Sequence, residues 1–209
     1  MELFNLIITT LSVYSPVLFF ITLFITKNEN YLDIDKILIT LVSVAFISDI
    51  SLKYFIEGRN YIYIFIYMLV ESVLILIFYQ KILNRKRNII LGLSLIYLVS
   101  IILELFYKNP VNDFFSYSLT VKNFIYIILA LFYFIEIYRY EKDIFNKEAP
   151  QFSYNVGILI YASLAFFPVF LATELMSGFF DFSLWYIHNI GNILKNIIFA
   201  VGLWLVQKR

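Results

Sequence analysis

The chain has 209 residues, of which 62% are hydrophobic, 20% are aromatic and 15% are charged, and its formal net charge is +1. Soluble domains are about 45–50% apolar and about 25% charged, so this composition indicates a helical membrane protein. The near-neutral charge disfavours a nucleic-acid partner. The absence of cysteine excludes disulfides, thiolate metal sites and a cysteine nucleophile. No polar stretch is long enough to fold alone, so we predict one transmembrane domain over residues 1–209.

Seven segments meet the requirement of about 20 mostly apolar residues for a transmembrane helix. We therefore predict an all-α fold, a bundle of seven transmembrane helices. Pro16 and Pro168 lie inside the first and sixth spans, where we expect kinks. The N-terminus lacks a signal-peptide pattern, so the first segment is expected to be retained. In chain order the predicted spans are Leu6–Thr26, Ile37–Ile56, Tyr61–Leu83, Ile89–Tyr107, Phe115–Tyr138, Val156–Met176 and Leu184–Val206.

Lysine and arginine are distributed unevenly between the two sides of the predicted bundle. The first, third and fifth connections and the C-terminal end carry eleven of them, whereas the other connections carry two, Arg59 and Lys108. Because cytoplasmic loops are enriched in these residues, we predict an external N-terminus and a cytoplasmic C-terminus. No internal repeat is visible, so an inverted-repeat transporter is not indicated.

A stripe of polar residues runs along the seventh span. His188, Asn192, Lys195 and Asn196 are spaced so that they share one helical face. Lys195 falls near the membrane midplane, and His188 lies roughly 10 Å towards the outer side. Polar groups persist in lipid where the protein uses them, so we predict that the stripe lines a polar site. Alternatively, the asparagines join helices by hydrogen bonds.

Glu71 lies near the midplane of the third span, and Tyr67 lies one turn outward on the same face. A carboxylate at this depth must be neutral or paired. Lys195 is the expected partner and His188 is the alternative. Both a structural clamp and a functional site remain open, and the polar groups as a whole cluster in the outer half and centre of the spans.

Other ionisable residues lie nearer the span ends. Asp49 is predicted to join the ligand site, although a pair with Lys53, four residues later, is the structural alternative. Lys122 is expected to extend its ammonium to the outer surface. Three acidic residues are expected to reach water at helix ends: Glu104, Glu136 and Glu174.

Two enzyme-like patterns are weak, and the sequence favours a non-enzymatic role. Ser94 with His188 resembles an intramembrane serine protease of the rhomboid type, but the two should lie about 15 Å apart in depth. Lys195 with Glu71 resembles the retinal-binding plan of microbial rhodopsins, but both tryptophans lie at the membrane boundaries. One histidine and no cysteine disfavour haem or catalytic zinc, so we expect no metal and no cofactor.

Three segments carry a resemblance to a known group: SDISLKYF, NYIYIFIYMLVESVLILIFYQKIL and LWYIHNIGNILKNIIFAVGLW. They resemble an uncharacterised family of small seven-helix integral membrane proteins of Bacteroidetes-type bacteria. In that family an acid follows the aromatic run of helix three, and helix seven carries a W-x-x-H-x-x-x-N-x-x-x-N-like stripe. The matching positions here are Glu71, Trp185, His188, Asn192 and Asn196. The resemblance implies this architecture and an inner-membrane location, and no particular activity.

We therefore expect a ligand-binding membrane module, such as a receptor, sensor or accessory subunit, in a bacterial inner membrane. Its polar site would open outward and take a small polar or amphiphilic ligand. The first alternative is a proton-coupled or small-solute transporter that uses Glu71. The second is a structural subunit of a larger complex, with a membrane protein as its partner. The predicted lining residues are Glu71, His188, Asn192, Lys195, Asn196, Tyr67 and Asp49.

Overall fold

The computed structural model describes residues 2–26, 31–54, 61–83, 86–110, 113–140, 149–172 and 185–206. These residues contain eight α-helices and no β-strand. The helices are α1 (Glu2–Tyr14), α2 (Pro16–Thr26), α3 (Asp33–Tyr54), α4 (Tyr61–Ile82), α5 (Arg87–Tyr107), α6 (Ser116–Tyr140), α7 (Ala149–Phe170) and α8 (Trp185–Val206).

Seven segments of the described chain are long and apolar enough to cross a membrane, and α1 and α2 together form the first of them. The predicted all-α class and number of spans are confirmed, and the apolar helices indicate a multi-pass membrane protein. The largest difference in bounds is at α7, which begins at Ala149 rather than Val156. Pro150 therefore lies in a first helical turn, where a missing backbone N–H removes no hydrogen bond.

The first span is interrupted where a kink was expected. Pro16 has no N–H to donate, and a turn at Ser15 separates α1 from α2. The Ser15 hydroxyl donates to the Ser12 carbonyl over 2.8 Å, which satisfies an acceptor at the break. Pro168 behaves differently, because α7 continues through it and ends two residues later at Phe170.

The spans follow one another around a closed ring. The first span packs on α3, and each helix from α3 to α8 packs on the next; α8 then returns to pack on both α1 and α2. α4 also contacts α6, across the inside of the bundle. We call the end where α4, α6 and α8 begin the Trp185 end.

Two glycines set the close approach of α7 and α8. A Cβ added to Gly157 of α7 would lie 2.7 Å from Cε1 of Phe199 on α8. In the reverse direction, a Cβ added to Gly202 of α8 would collide with the ring of Tyr154 on α7. Each helix thus receives an aromatic ring of the other over a residue without a side chain, which is the way small residues let membrane helices approach.

Candidate ligand site at the Trp185 end

A cavity of about 240 Å³ lies at the Trp185 end of the bundle. Its walls come from α1, α3, α4, α6, α7 and α8 and from Phe114, which precedes α6. Ligand sites in helix bundles commonly combine apolar walls with a few polar groups, and this cavity has that character. Its polar lining residues are Thr9, Ser12, Asp49, Tyr67, Lys122, Asn123, Tyr161, His188, Asn189 and Asn192.

Four of the seven predicted lining residues are part of this wall: Asp49, Tyr67, His188 and Asn192. The other three lie behind it. Glu71 is reached through Lys122, Lys195 is covered by Tyr161, and Asn196 is turned to the first span. Of the polar residues that the sequence analysis places in the outer half and centre of the spans, these four lie together around one cavity.

The partner of Glu71 differs from both candidates named from the sequence. Its carboxylate forms an ion pair with the ammonium of Lys122, and the two side chains are only 2% and 3% exposed. Lys122 does not extend to the outer surface as expected. Because α4 contacts α6 across the bundle, the long lysine side chain turns inward and meets a carboxylate that would otherwise be buried without a partner.

Lys195 is buried and has a ring rather than a carboxylate as its neighbour. Its Nζ lies 4.1 Å from the centre of the Tyr161 ring, a cation–π geometry. The described residues place no carboxylate oxygen within 4.0 Å of this ammonium. The predicted pairing of Lys195 with Glu71 is therefore wrong, and Lys195 is not among the residues that line the cavity.

His188 lies in the first turn of α8, between two aromatic residues. The Trp185 ring stacks on the imidazole, with 4.9 Å between the ring centres and 22° between the planes. On the other side, the Tyr161 hydroxyl lies 3.3 Å from His188 Nε2. Tyr161 thus contacts both ionisable residues of the α8 stripe, one through its hydroxyl and one through its ring face.

The asparagines of α8 bind the first span. Asn189 donates to Thr9 Oγ1 over 3.4 Å, Asn192 donates to Ser12 Oγ over 3.1 Å, and Asn196 donates to Ser15 Oγ over 2.7 Å. These hydrogen bonds join α8 to the first span, which is the alternative role that the sequence analysis gave for the asparagines. Asn189 and Asn192 also line the cavity, whereas Asn196 lies at the Ser15 break and has a structural role.

Asp49 is the acidic residue among those that line the cavity. The alternative ion pair between Asp49 and Lys53 is not formed. The Lys53 ammonium lies instead over the rings of Tyr14 and Tyr54, 5.0 and 5.5 Å from their centres. Within the described chain, no ion pair or hydrogen bond engages the Asp49 carboxylate. Tyr67, which lines the same cavity, donates a long hydrogen bond of 3.4 Å to the Glu71 carboxylate.

Two of the three acidic residues expected to reach water are buried instead. Glu104 is 5% exposed, accepts hydrogen bonds from the backbone N–H and hydroxyl of Ser118, and pairs with Lys108. Its negative charge thereby satisfies the first turn of α6. Glu136 is also buried. Glu174 lies outside the described residues.

A second polar cluster occupies the opposite half of the bundle, away from the outer half and centre where the sequence analysis places the polar groups. Asp35 is fully buried, and it accepts hydrogen bonds from the Tyr154 hydroxyl over 3.2 Å and the Leu32 N–H over 3.0 Å. Its place in the first turn of α3 is the missed signal, since acids there cap helices. Buried apolar residues, including Ile158 and Phe199, separate this cluster from the cavity.

Two residues of the cavity wall, Tyr161 and Asn123, were not selected by the sequence analysis. Tyr161 is one of 17 tyrosines, and nothing in the pattern of the sixth span distinguishes it. Asn123 follows Lys122 directly and could have been noticed as a polar pair within an apolar span. Its Oδ1 and the Nδ1 of His188 are buried atoms without a hydrogen-bond partner in the described chain.

No family model, curated protein or solved structure matches this chain. The cavity and its side chains are therefore the basis for a functional proposal. Among the described residues no group of three or more histidine, aspartate or glutamate side chains is arranged to hold a metal ion.

Proposed function

We propose that the protein is a ligand-binding membrane module, a receptor, sensor or accessory subunit, whose site is the cavity at the Trp185 end. The observation that supports this most directly is Asp49, a carboxylate in the cavity wall that has no ion-pair partner in the described chain. Asp49 is half-buried, so its carboxylate has lost part of its contact with water, and a bound ligand that donates hydrogen bonds would compensate that loss.

The side chains around Asp49 favour a small polar or amphiphilic ligand that donates hydrogen bonds. Asn123 lines the same cavity, and its Oδ1 is a buried acceptor that no donor of the described residues reaches. Lys122 contributes little net charge, because Glu71 neutralises it. Most of the remaining lining residues are aliphatic, and Trp185 and Phe114 are the aromatic ones.

A thermal-shift screen of small metabolites and amphiphiles on the purified protein tests this proposal. We expect at least one compound to raise the melting temperature, and Asp49→Asn to abolish that shift. Asp33→Asn is the matched control, because Asp33 is an exposed acid of the same helix that pairs with Lys81. Equal loss of the shift in both variants, or no shift with any compound, would contradict a site at Asp49.

Charge supports an orientation, and the family resemblance supports a location. Eleven lysines and arginines on one predicted side against two on the other favour an external N-terminus and a cytoplasmic C-terminus. The resemblance favours a bacterial inner membrane. The cavity would then open outward. A fluorescent protein fused after Arg209 should be bright in this orientation, and a periplasmic alkaline phosphatase fused there should be inactive.

Transport through Glu71 is the alternative that one observation favours. Glu71 and Lys122 form a buried ion pair beside the cavity, and a second buried acid, Asp35, lies in the other half. Uptake into liposomes that disappears in Glu71→Gln while the protein stays folded would support transport over binding.

A role as structural subunit would instead be indicated by a stoichiometric membrane protein partner together with full activity in both Glu71→Gln and His188→Ala.

A further inference from the structure

A groove of about 210 Å³ lies on the outer surface between α3 and α4. Its lining is mostly apolar and lipid-accessible, since Ile47, Ile66 and Val70 are 62%, 54% and 39% exposed. All three lie within spans, so in a membrane the groove is open to acyl chains rather than to water.

The groove and the cavity share one wall. Tyr67 lines both of them. On α3, Ser48 lines the groove while the next residue, Asp49, lines the cavity. The wall between the lipid-facing groove and the polar cavity therefore includes Tyr67 on α4 and the adjacent residues Ser48 and Asp49 on α3.

The chemistry of the two spaces is complementary to a molecule with two ends. The cavity offers one acidic side chain, Asp49, which attracts a cation, and the aromatic side chains of Trp185 and Phe114 in the same wall. The cavity-lining lysine, Lys122, does not oppose a cation strongly because Glu71 neutralises it. The groove offers apolar contact to a hydrocarbon chain.

From this juxtaposition we infer that the ligand is a single-chain amphiphile with an amine headgroup, which enters sideways from the bilayer between α3 and α4. The headgroup lies against Asp49, the chain lies in the groove, and the Tyr67 ring moves aside to admit it. This inference rests on the proposed ligand site and adds the ligand class and its route.

Tyr67 is held by few polar contacts that would prevent such a movement. Its hydroxyl makes the 3.4 Å contact with Glu71, at the long limit of a hydrogen bond. Glu71 keeps its ion pair with Lys122 whether or not Tyr67 is in place. The ring can therefore change position without leaving a buried charge unpaired.

The test uses the tryptophan that lines the cavity as its reporter. The chain has two tryptophans, so a Trp204→Phe background leaves Trp185 alone. The protein in lipid nanodiscs is titrated with dodecylamine and with n-butylamine, and Trp185 emission is recorded. We expect both amines to change the emission, dodecylamine at far lower concentration per lipid, and Asp49→Asn to abolish both responses.

Val70→Phe fills the groove, and Val99→Phe on the lipid-exposed face of α5 is its matched control. We expect Val70→Phe to weaken dodecylamine binding about tenfold, which corresponds to losing the burial of roughly two methylene groups. Butylamine binding and the Val99→Phe variant should change less than about twofold. Ile66→Phe is a second groove-filling variant, in case Val70→Phe does not fold.

Separate outcomes would defeat the inference and the proposed function. Equal effects of the Val70 and Val99 substitutions, with Asp49→Asn still abolishing the response, would reject sideways access and leave the ligand site. Binding of dodecanoate as tight as that of dodecylamine would reject the amine headgroup. No change of Trp185 emission with either amine would overturn the inference, and loss of every thermal-shift response as well would overturn the site.

Discussion

The carboxylate of Glu71 on α4 and the ammonium of Lys122 on α6 form an ion pair in which both side chains are almost completely buried. Both groups are largely removed from solvent, so each compensates the desolvation of the other. The pair also joins two helices that are not neighbours in the ring of spans.

Removing one member of this pair should therefore cost much more than removing both. We expect Glu71→Gln or Lys122→Met alone to lower the free energy of unfolding by about 3–5 kcal/mol, and the double variant to recover much of that loss. Unfolding in mixed micelles measures the free energies. The exposed pair of Lys81 and Asp33 is the control, where Lys81→Met should cost about 1 kcal/mol or less. Additive losses in the double variant would contradict a coupled pair.

The contact of Gly157 with Phe199 predicts a strong position dependence of glycine substitutions. Gly157→Ala should destabilise the protein by about 1–3 kcal/mol, because its new Cβ would overlap the Phe199 ring. Gly92→Ala is the control, since no atom lies within 4 Å of the added Cβ, and it should be neutral or stabilising by up to about 1 kcal/mol. Thermal unfolding compares the two. If Gly157→Ala/Phe199→Leu fails to regain stability, the overlap is not the cause.

The hydrogen bond from Asn196 to Ser15 should contribute to stability and not to ligand binding. A double-mutant cycle of Asn196→Ala and Ser15→Ala is expected to give a coupling energy of about 0.6–1.7 kcal/mol. Neither variant should alter the response of Trp185 to amines. A change in amine affinity as large as that caused by Asp49→Asn would instead indicate that Asn196 belongs to the ligand site.

Tyr161 should act on Lys195 through its ring and on His188 through its hydroxyl, and two substitutions separate these contacts. Tyr161→Phe keeps the ring beneath the ammonium, so we expect a loss of about 1 kcal/mol or less. Tyr161→Leu removes both contacts and should cost about 2 kcal/mol more. Unfolding free energies measured in the same micelles test this order, and equal effects of the two variants would exclude a contribution of the cation–π contact.

The parts of the fold that depend on one helix at a time were predictable. Seven apolar stretches specify seven spans, and the spacing of His188 and Asn192 correctly put them on one face of α8, towards the cavity. The partner of Glu71 was not predictable, because it depends on which helices touch. Depth alone favoured Lys195, whereas the contact between α4 and α6 and the length of a lysine side chain select Lys122.

Buried polar groups near helix ends were missed for a related reason. Asp35 and Glu104 lie close to the ends of apolar stretches, where a sequence pattern suggests contact with water. In the folded chain, α3 begins at Asp33, before the predicted span, and so includes Asp35. Both carboxylates accept hydrogen bonds from other helices, Asp35 from Tyr154 and Glu104 from Ser118. Such partners come from distant parts of the chain and leave no local periodicity.

The hydrogen bond between Asn196 and Ser15 joins residues 181 positions apart. The first span is therefore synthesised long before α8, with the Ser15 hydroxyl already able to donate to the Ser12 carbonyl of the same span. The arrival of α8 adds the amide donors of Asn189, Asn192 and Asn196 to that span. Closure of the ring is thus a late step of assembly, because it cannot precede the synthesis of α8.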